Sequence, residues 1–118
     1  MKKLIYKKLL LNKDGEIKME KWADYVITEV RFKGDKIHIE EVKRREDAGD
    51  NLINERTMLR EDVIRELENN IRFVTVYKKE GKWVKGDNVG IVKVNDKKFI
   101  RTDGNTIEED NLGNLPTF

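Results

Sequence analysis

The residues best suited to chemistry lie in an acidic segment near the end of the sequence, DGNTIEED at 103–110. Asp103 and Asn105 match the first two oxygen ligands of a calcium-binding EF-hand loop. Ile107 stands where the third oxygen ligand belongs, and Glu108 replaces the glycine that the loop needs for its turn. We therefore expect a solvated turn here rather than a metal site, and we expect no cofactor.

A second group of side chains could bind phosphate. It consists of the basic residues Lys43, Arg44, Arg45, Arg56 and Arg60. Arginine pairs with phosphate through two parallel hydrogen bonds, and Tyr77 or Trp83 could offer a face for base stacking. Glu46, Asp47 and Asp50 lie in the same stretch and oppose the positive field. Nucleic-acid binding is therefore the alternative function, ranked behind interaction with another protein.

The residue types that are missing exclude several enzyme sites within this chain. It has no Cys, no Ser and no Gln, so thiol and serine nucleophiles and thiolate zinc sites are excluded. The single histidine, His38, lies between Ile37 and Ile39, which would share one face of a strand. We expect His38 to point away from that face into solvent. No group of side chains has a catalytic pattern, and we expect the chain not to be an enzyme.

Length favours one small domain, and the lack of a signal-peptide pattern and of a membrane segment leads us to expect it in the cytoplasm. A chain of 118 residues forms a single domain that buries roughly 65% of its unfolded surface. Charged residues make up 41% of the chain and nearly balance, with a net charge of +2, which is too mild for a dedicated nucleic-acid binder. The opening MKKLIYKK is interrupted by Lys7 and Lys8 and lacks a signal-peptide cleavage site. No run of residues is apolar for long enough to span a membrane, so we expect no membrane partner.

The first 24 residues read as an extension that forms a hairpin, although the period of residues 4–11 also allows a short helix. Residues 4–11 and 16–22 flank the turn sequence Asn12-Lys13-Asp14-Gly15. The hairpin should add to the sheet or pair with a second copy of the chain, because several apolar side chains need burial. These side chains are Leu4, Ile5, Leu9, Leu10 and Leu11.

The middle of the chain predicts two strands, a loop and a helix. DYVITEVRF and IHIEEV flank a turn at 33–36, and a β-bulge near Glu40-Glu41 would bring Val42 into phase with Ile39. Residues 43–56 lack a period and read as a loop. Thr57 then caps a helix over about 58–70. The apolar face of this helix is formed by Leu59, Val63, Ile64, Leu67 and Ile71.

Four further strands follow the helix and complete the fold class. They are RFVTVYKK, KWVKG, NVGIVKV and KKFIRT, joined in pairs through Glu80-Gly81 and Asn95-Asp96. The pattern predicts one α+β domain over 1–118, with a mainly antiparallel sheet built from hairpins and one covering helix.

The second half of the chain resembles a known family. ERTMLREDVIRELENN, followed by strands and by KFIRTDGNTIEEDNLGNLP, is similar to an uncharacterised prokaryotic family, domain of unknown function 3892, over about 25–118. The closing motif is carried by Ile100, Arg101, Thr102, Asp103, Gly104, Asp110, Asn111, Leu112, Leu115 and Pro116. The resemblance implies no activity, cofactor or catalytic residue, and we interpret the motif as structural.

The closing segment reads as a lock on the fold. Leu112 and Leu115 are three residues apart and are stopped by Pro116, which suits a short turn docked on the core. We therefore predict that both leucines are buried, while Glu108 and Glu109 stay in solvent. The function that we expect is a small non-enzymatic interaction or accessory domain. Its partner would contact an exposed strand edge or the extension.

Overall fold

The structure is a computed structural model that describes Lys7, residues 9–11, Gly15 and residues 17–118. The strands are β1 (Leu9–Leu11), β2 (Ile17–Met19), β3 (Tyr25–Phe32), β4 (Ile39–Asp47), β5 (Leu52–Leu59), β6 (Phe73–Lys79), β7 (Lys82–Asn88), β8 (Gly90–Val94) and β9 (Lys97–Arg101). Helix α1 spans Arg60–Glu68. No helix in the described part of the chain is long and apolar enough to cross a membrane.

The main sheet has five strands in the order β5-β4-β3-β6-β7. Neighbouring strands are antiparallel except β3 and β6, which are parallel because β4, β5 and α1 carry the chain back before β6 begins. Strands β8 and β9 form a separate antiparallel hairpin. The predicted α+β class with a mainly antiparallel sheet is confirmed.

Buried side chains form two clusters on opposite faces of this sheet. Successive residues of a strand point to opposite faces, so neighbours such as Val26 and Ile27 join different clusters. The larger cluster contains residues from α1, β9 and the closing segment: Ile27, Val30, Ile39, Val42, Val63, Ile64, Phe73, Val89, Ile100 and Leu112. The smaller cluster on the other face contains Trp22, Ala23, Val26, Leu52, Val74 and Val76.

Turns and a bulge fall where the residue types predict them. Glu80 and Gly81 both have positive φ, as do Asn95 and Asp96, which is the geometry of a two-residue hairpin turn. In β4 the pairing moves from Glu41 to Ile39 while β3 advances by one residue, so Glu40 is the extra residue of a bulge. The bulge brings Val42 into the same cluster as Ile39, and this prediction is confirmed.

The prediction of a loop over 43–56 is wrong. This stretch completes β4 and most of β5, with a short turn between Asp47 and Leu52. Most residues there are charged or polar, and no apolar residue recurs at every second position. The alternation that identifies a half-buried strand is therefore missing. Main-chain hydrogen bonds to β3 and β5 hold the strand, and cross-strand ion pairs such as Lys43–Glu29 neutralise its charges.

The predicted start of the helix is also wrong. Thr57 is a strand residue, and the helix begins at Arg60 after Leu59, without a side-chain cap. Leu59 is 51% exposed instead of packing on the apolar face. Its backbone is still extended, which points the side chain away from the helix stripe. Val63 and Ile64 are buried as predicted.

His38 and Ile37 occupy a turn rather than a strand, contrary to the sequence interpretation. Ile37 is exposed, while Ile39 is buried at the start of β4. The His38 ring stacks on Phe99 with 5.8 Å between ring centroids, and its Nδ1 lies 2.9 Å from Asp35 Oδ2. The hydrogen bond with His38 is the main reason that the pKa of Asp35 lies well below its ordinary 3.8.

The described part of the extension forms its own two-stranded sheet. Leu9–Leu11 pairs antiparallel with Ile17–Met19. This hairpin does not join the five-stranded sheet, so the expectation that it adds to the sheet is wrong. Leu4 and Ile5, and residues 12–14 of the expected turn, lie outside the described residues. Leu9, Leu10 and Leu11 are exposed.

One buried carboxylate ties the extension to the domain. Asp47 Oδ1 binds the Lys7 ammonium group, and its Oδ2 accepts hydrogen bonds from the main-chain N–H of Trp22 (2.6 Å) and of Ala23 (3.3 Å). Gly49 N–H donates to Oδ1 at 3.0 Å. The end of β4 is therefore joined to the chain before β3 by a fully satisfied acid.

Gly86 is required where β7 approaches β6. A Cβ atom at this position would lie 2.3 Å from Thr75 Oγ1 and 3.0 Å from Thr75 O. We expect Gly86→Ala to reduce the free energy of unfolding by about 1–3 kcal/mol, because the main chain must shift to relieve the overlap. Urea unfolding measures this change. The control is Gly90→Ala, where no atom lies within 4 Å of the added carbon. Equal effects in both variants would contradict the steric explanation.

Candidate functional site

The closing segment is held by Asp110, a buried acid that connects three parts of the fold. Its Oδ1 accepts hydrogen bonds from Ile100 N–H (2.9 Å) and Arg60 Nη2 (3.1 Å). Its Oδ2 accepts from Ile39 N–H (2.8 Å) and Arg60 Nε (2.7 Å). The side chain of Asp110 is inaccessible to solvent, so this pair is shielded from water. Asp110 therefore fastens β4, β9 and the start of α1 to each other.

Arg101 forms a second link within the closing segment. Its guanidinium makes a two-bond contact with Asp103, at 2.7 and 3.1 Å, and Nη1 donates to the Glu109 carbonyl at 2.7 Å. Hydrogen bonding with Asp103 raises the pKa of Arg101 above its ordinary value. The same contact lowers the pKa of the Asp103 carboxyl below 3.8. The Asp103 carboxylate therefore has a structural role as the partner of Arg101.

The end of the chain packs as the lock interpretation predicts. Leu112 is 3% exposed within the larger cluster, and Leu115 is half-buried against it. Asn111 Oδ1 accepts a hydrogen bond from Gly113 N–H at 2.8 Å, which closes the turn between the leucines. The predicted burial is confirmed for Leu112 and only in part for Leu115, which lies at the margin of the cluster. After Leu115 the chain lies beside β3, where the Pro116 carbonyl accepts a hydrogen bond from Val30 N–H at 3.0 Å.

The remaining motif positions support this segment from its surface. Thr102 N–H donates to the Asn111 carbonyl at 3.0 Å, and Gly104 is exposed. Glu108 and Glu109 are in solvent, as predicted. Within the described residues, no three His, Cys, Asp or Glu side chains come together as a metal site.

The Asp103 contact predicts a pH dependence of stability. Because the folded pKa lies below the unfolded value of 3.8, the contact stabilises the fold above that pH and is lost as pH falls below about 4. Asp103→Asn should flatten the decline of melting temperature between pH 5 and pH 2 in about the same window. Asp96→Asn, at an exposed turn, is the control and should keep the wild-type slope. A wild-type slope in Asp103→Asn would contradict the prediction.

The structure does not gather the five basic residues on one surface. Lys43 and Arg45 are two residues apart in β4 and share one face, whereas Arg44 lies on the other face. Arg56 is exposed and is paired with Arg44 across the β4–β5 ladder. Arg60 is held by Asp110. The predicted phosphate patch is therefore divided between two faces and a buried ion pair.

A groove lies beyond the end of the β3–β6 ladder, beside the closing segment, and we call it the Trp83 groove. Its volume is about 470 Å³. Tyr77, Trp83 and Pro116 form its apolar lining. Its polar lining consists of Thr28, Glu29, Arg45, Glu55, Lys78 and Asn114. Five strands and the closing segment meet there. Trp83 packs against the smaller cluster, so a rigid part of the sheet supports the floor of the groove.

The charges in the Trp83 groove are unequally satisfied. Glu29 pairs with Lys43 at 3.2 Å, and Glu55 pairs with Arg45 at 3.5 Å. Lys78 Nζ lies 5.0 Å from the centre of the Trp83 ring and has no acidic partner among the described residues. Arg45 Nε is the one buried side-chain polar atom in the described part of the chain without a hydrogen bond. Unused donors therefore remain in a groove whose acids are neutralised.

A larger cavity of about 510 Å³ lies beside the end of α1. Trp22, Phe73, Val74 and Val89 line it from the two core clusters, together with Asn70, Asn88 and Arg72. All its buried side-chain polar atoms that the structure describes are satisfied. The Trp83 groove is therefore the better candidate despite its slightly smaller volume.

Comparison with protein families identifies the chain. A family model described as protein of unknown function (DUF3892) matches residues 26–116, which is most of the sequence. The chain belongs to this DUF3892 family. The matched region includes the Asp110 lock and the whole lining of the Trp83 groove, and it leaves the extension outside. Comparisons with curated proteins and with solved structures each gave no match.

Two important features of this DUF3892 domain escaped sequence reasoning. Asp47 was read as one charge in a loop, although it is a buried acid that holds the extension. Lys78 and Asn114 drew no attention, because groove residues come from strands that are distant in sequence. The available signal for the lock was the acid Asp110 directly before the two leucines of the closing turn. For Lys78 the sequence carries no such signal.

Proposed function

We propose that this domain is a non-catalytic module that binds an extended segment of another protein in the Trp83 groove. The supporting observation is an aromatic groove with unused donors beyond the end of the β3–β6 ladder. Its volume of about 470 Å³ lies within the range of natural ligand sites. Tyrosine, tryptophan and arginine, all present here, are enriched where proteins bind each other.

The shape of the groove suits an extended segment. It runs from Glu55 on the edge strand β5, across β4 and β3, to Lys78 and Trp83 on β6 and β7. Strand β5 has no second neighbouring strand among the described residues, so its main chain can also pair with a segment that leaves the groove. Side-chain contacts and main-chain hydrogen bonds then act together.

Crosslinking in cells of the source organism tests this proposal. Benzoylphenylalanine at Tyr77, which is exposed in the groove, should yield discrete adducts that protease removes and ribonuclease and deoxyribonuclease leave intact. The same residue at Lys93, exposed on β8, is the control and should give none of these adducts. Equal adducts at both positions, or none at Tyr77, would refute the proposal.

Nucleic-acid binding is the second candidate, because Tyr77 and Trp83 could stack on bases beside Lys78. The divided basic patch and the acids Glu29 and Glu55 in the groove weigh against it. We expect a 12-nucleotide single strand to bind with a Kd above about 10 µM at roughly 150 mM salt. Sub-micromolar, salt-sensitive binding that Arg44→Glu/Arg45→Glu removes would reverse this ranking.

A further inference from the structure

We infer that the Trp83 groove selects partner segments that carry a carboxylate beside an apolar side chain. This inference rests on the proposed function and specifies the chemical class of its ligand. The evidence is the combination of unused donors and apolar rings in one groove.

Arg45 has one donor without a partner in the groove. Its Nη1 donates to the Leu52 carbonyl at 3.3 Å, and its Nη2 pairs with Glu55 at 3.5 Å, which fixes the orientation of the guanidinium. The third donor, Nε, is buried and has no partner among the described groups. A buried donor without a partner destabilises the fold. Because Nε is buried, an acceptor from a ligand reaches it only if the side chains that cover it move aside.

Lys78 carries the uncompensated positive charge of the groove. Its ammonium group lies over the Trp83 ring on the same lining as Arg45, whose guanidinium is centred 5.5 Å from that ring. Because Glu29 and Glu55 already have cationic partners, the charge left uncompensated in the groove is positive. A ligand carboxylate therefore binds Lys78 through a charge-assisted hydrogen bond.

The charge of the groove fits a protein ligand better than a nucleic acid. The groove offers one uncompensated cation, whereas a nucleic-acid backbone brings one negative charge for each nucleotide and is bound through many cations. The carboxylates of Glu29 and Glu55 would repel the neighbouring phosphates. A single carboxylate flanked by an apolar side chain fits both the charge and the rings Tyr77 and Trp83.

Display of random heptapeptides on phage, selected on the immobilised full chain, tests the inference. We expect the selected peptides to be enriched in Asp and Glu with a neighbouring aromatic or aliphatic residue. The best synthetic peptide should bind Lys78→Glu at least about tenfold more weakly, as expected for a lost bond to a charged group. Lys93→Glu makes the same charge change outside the groove and should bind as wild type does.

Each outcome decides a different point. Tyr77→Ala tests the groove without disturbing the core, because this side chain is exposed. Neutral or basic peptides that lose affinity in Tyr77→Ala would overturn the carboxylate inference and leave the proposed function standing. An absence of any peptide sensitive to Tyr77→Ala would overturn both. Tighter binding of the 12-nucleotide strand, lost in Lys78→Glu, would overturn both in favour of nucleic acid.

Discussion

Replacing Asp110 with Ala should lower the free energy of unfolding by about 3–5 kcal/mol, because it leaves a half-buried Arg60 without its anion. The same change removes the acceptors for the main-chain N–H groups of Ile39 and Ile100. A loss of this size is a large part of the roughly 5–15 kcal/mol that stabilises a typical domain. Urea unfolding followed by tryptophan fluorescence measures it.

Two variants make the Asp110 prediction specific. Glu109→Ala removes a solvated acid next in sequence and should change the free energy of unfolding by less than about 0.5 kcal/mol. Arg60→Ala combined with Asp110→Ala should cost less than the sum of the two single changes, because both remove the same ion pair. Additive effects, or an Asp110→Ala chain as stable as Glu109→Ala, would refute the lock.

Leu112→Ala should cost about 2–5 kcal/mol, the range for truncating a buried leucine. Leu112 is 3% exposed among the side chains that α1, β3 and β9 contribute to the larger cluster, so the lost methyl groups leave a cavity. Leu115→Ala should cost less, because Leu115 is only half-buried at the margin of that cluster. Thermal melts of the two variants give the order.

The control for Leu112 is Leu11→Ala, because Leu11 is 73% exposed in β1. Its melting temperature should stay close to that of the wild type. Calcium should change none of these melts, since Asp103 is already bound by Arg101. Unchanged melting in both Leu112→Ala and Leu115→Ala would refute the lock. Saturable calcium shifts in amide NMR centred on residues 103–110 would favour a metal site instead.

The sequence predicted local structure correctly wherever neighbouring residues decide the conformation of the chain. Asn95-Asp96 forms its turn because both residues tolerate positive φ, and at Glu80-Gly81 the glycine does so. The apolar phase of Ile39 and Val42 revealed the bulge, since a bulge is the simplest way for both to face one core. Two leucines followed by proline predicted the docked turn at 112–115 for a similar reason: exposed leucines would have no partner.

Strand β4 shows where sequence reasoning failed. Its run from Lys43 to Glu46 has no apolar alternation, and hydrophobic period is the main signal by which a strand is recognised. Its strand form comes from main-chain bonding to β3 and β5, and from ion pairs with residues such as Glu29 and Glu55. Those partners are set by register across the sheet, which no window of the sequence contains.

The sequence by itself determined the α+β class, the hairpin turns, the family and the burial of Leu112, because each follows from residue types and their order along the chain. Only the tertiary structure decided that Asp47 and Asp110 are buried, since their partners Lys7 and Arg60 lie far along the chain. It also decided that the basic residues separate while Arg45, Lys78 and Trp83 meet in one groove. The parallel pairing of β3 with β6 brings these distant strands together, and such pairing is a property of the whole sheet.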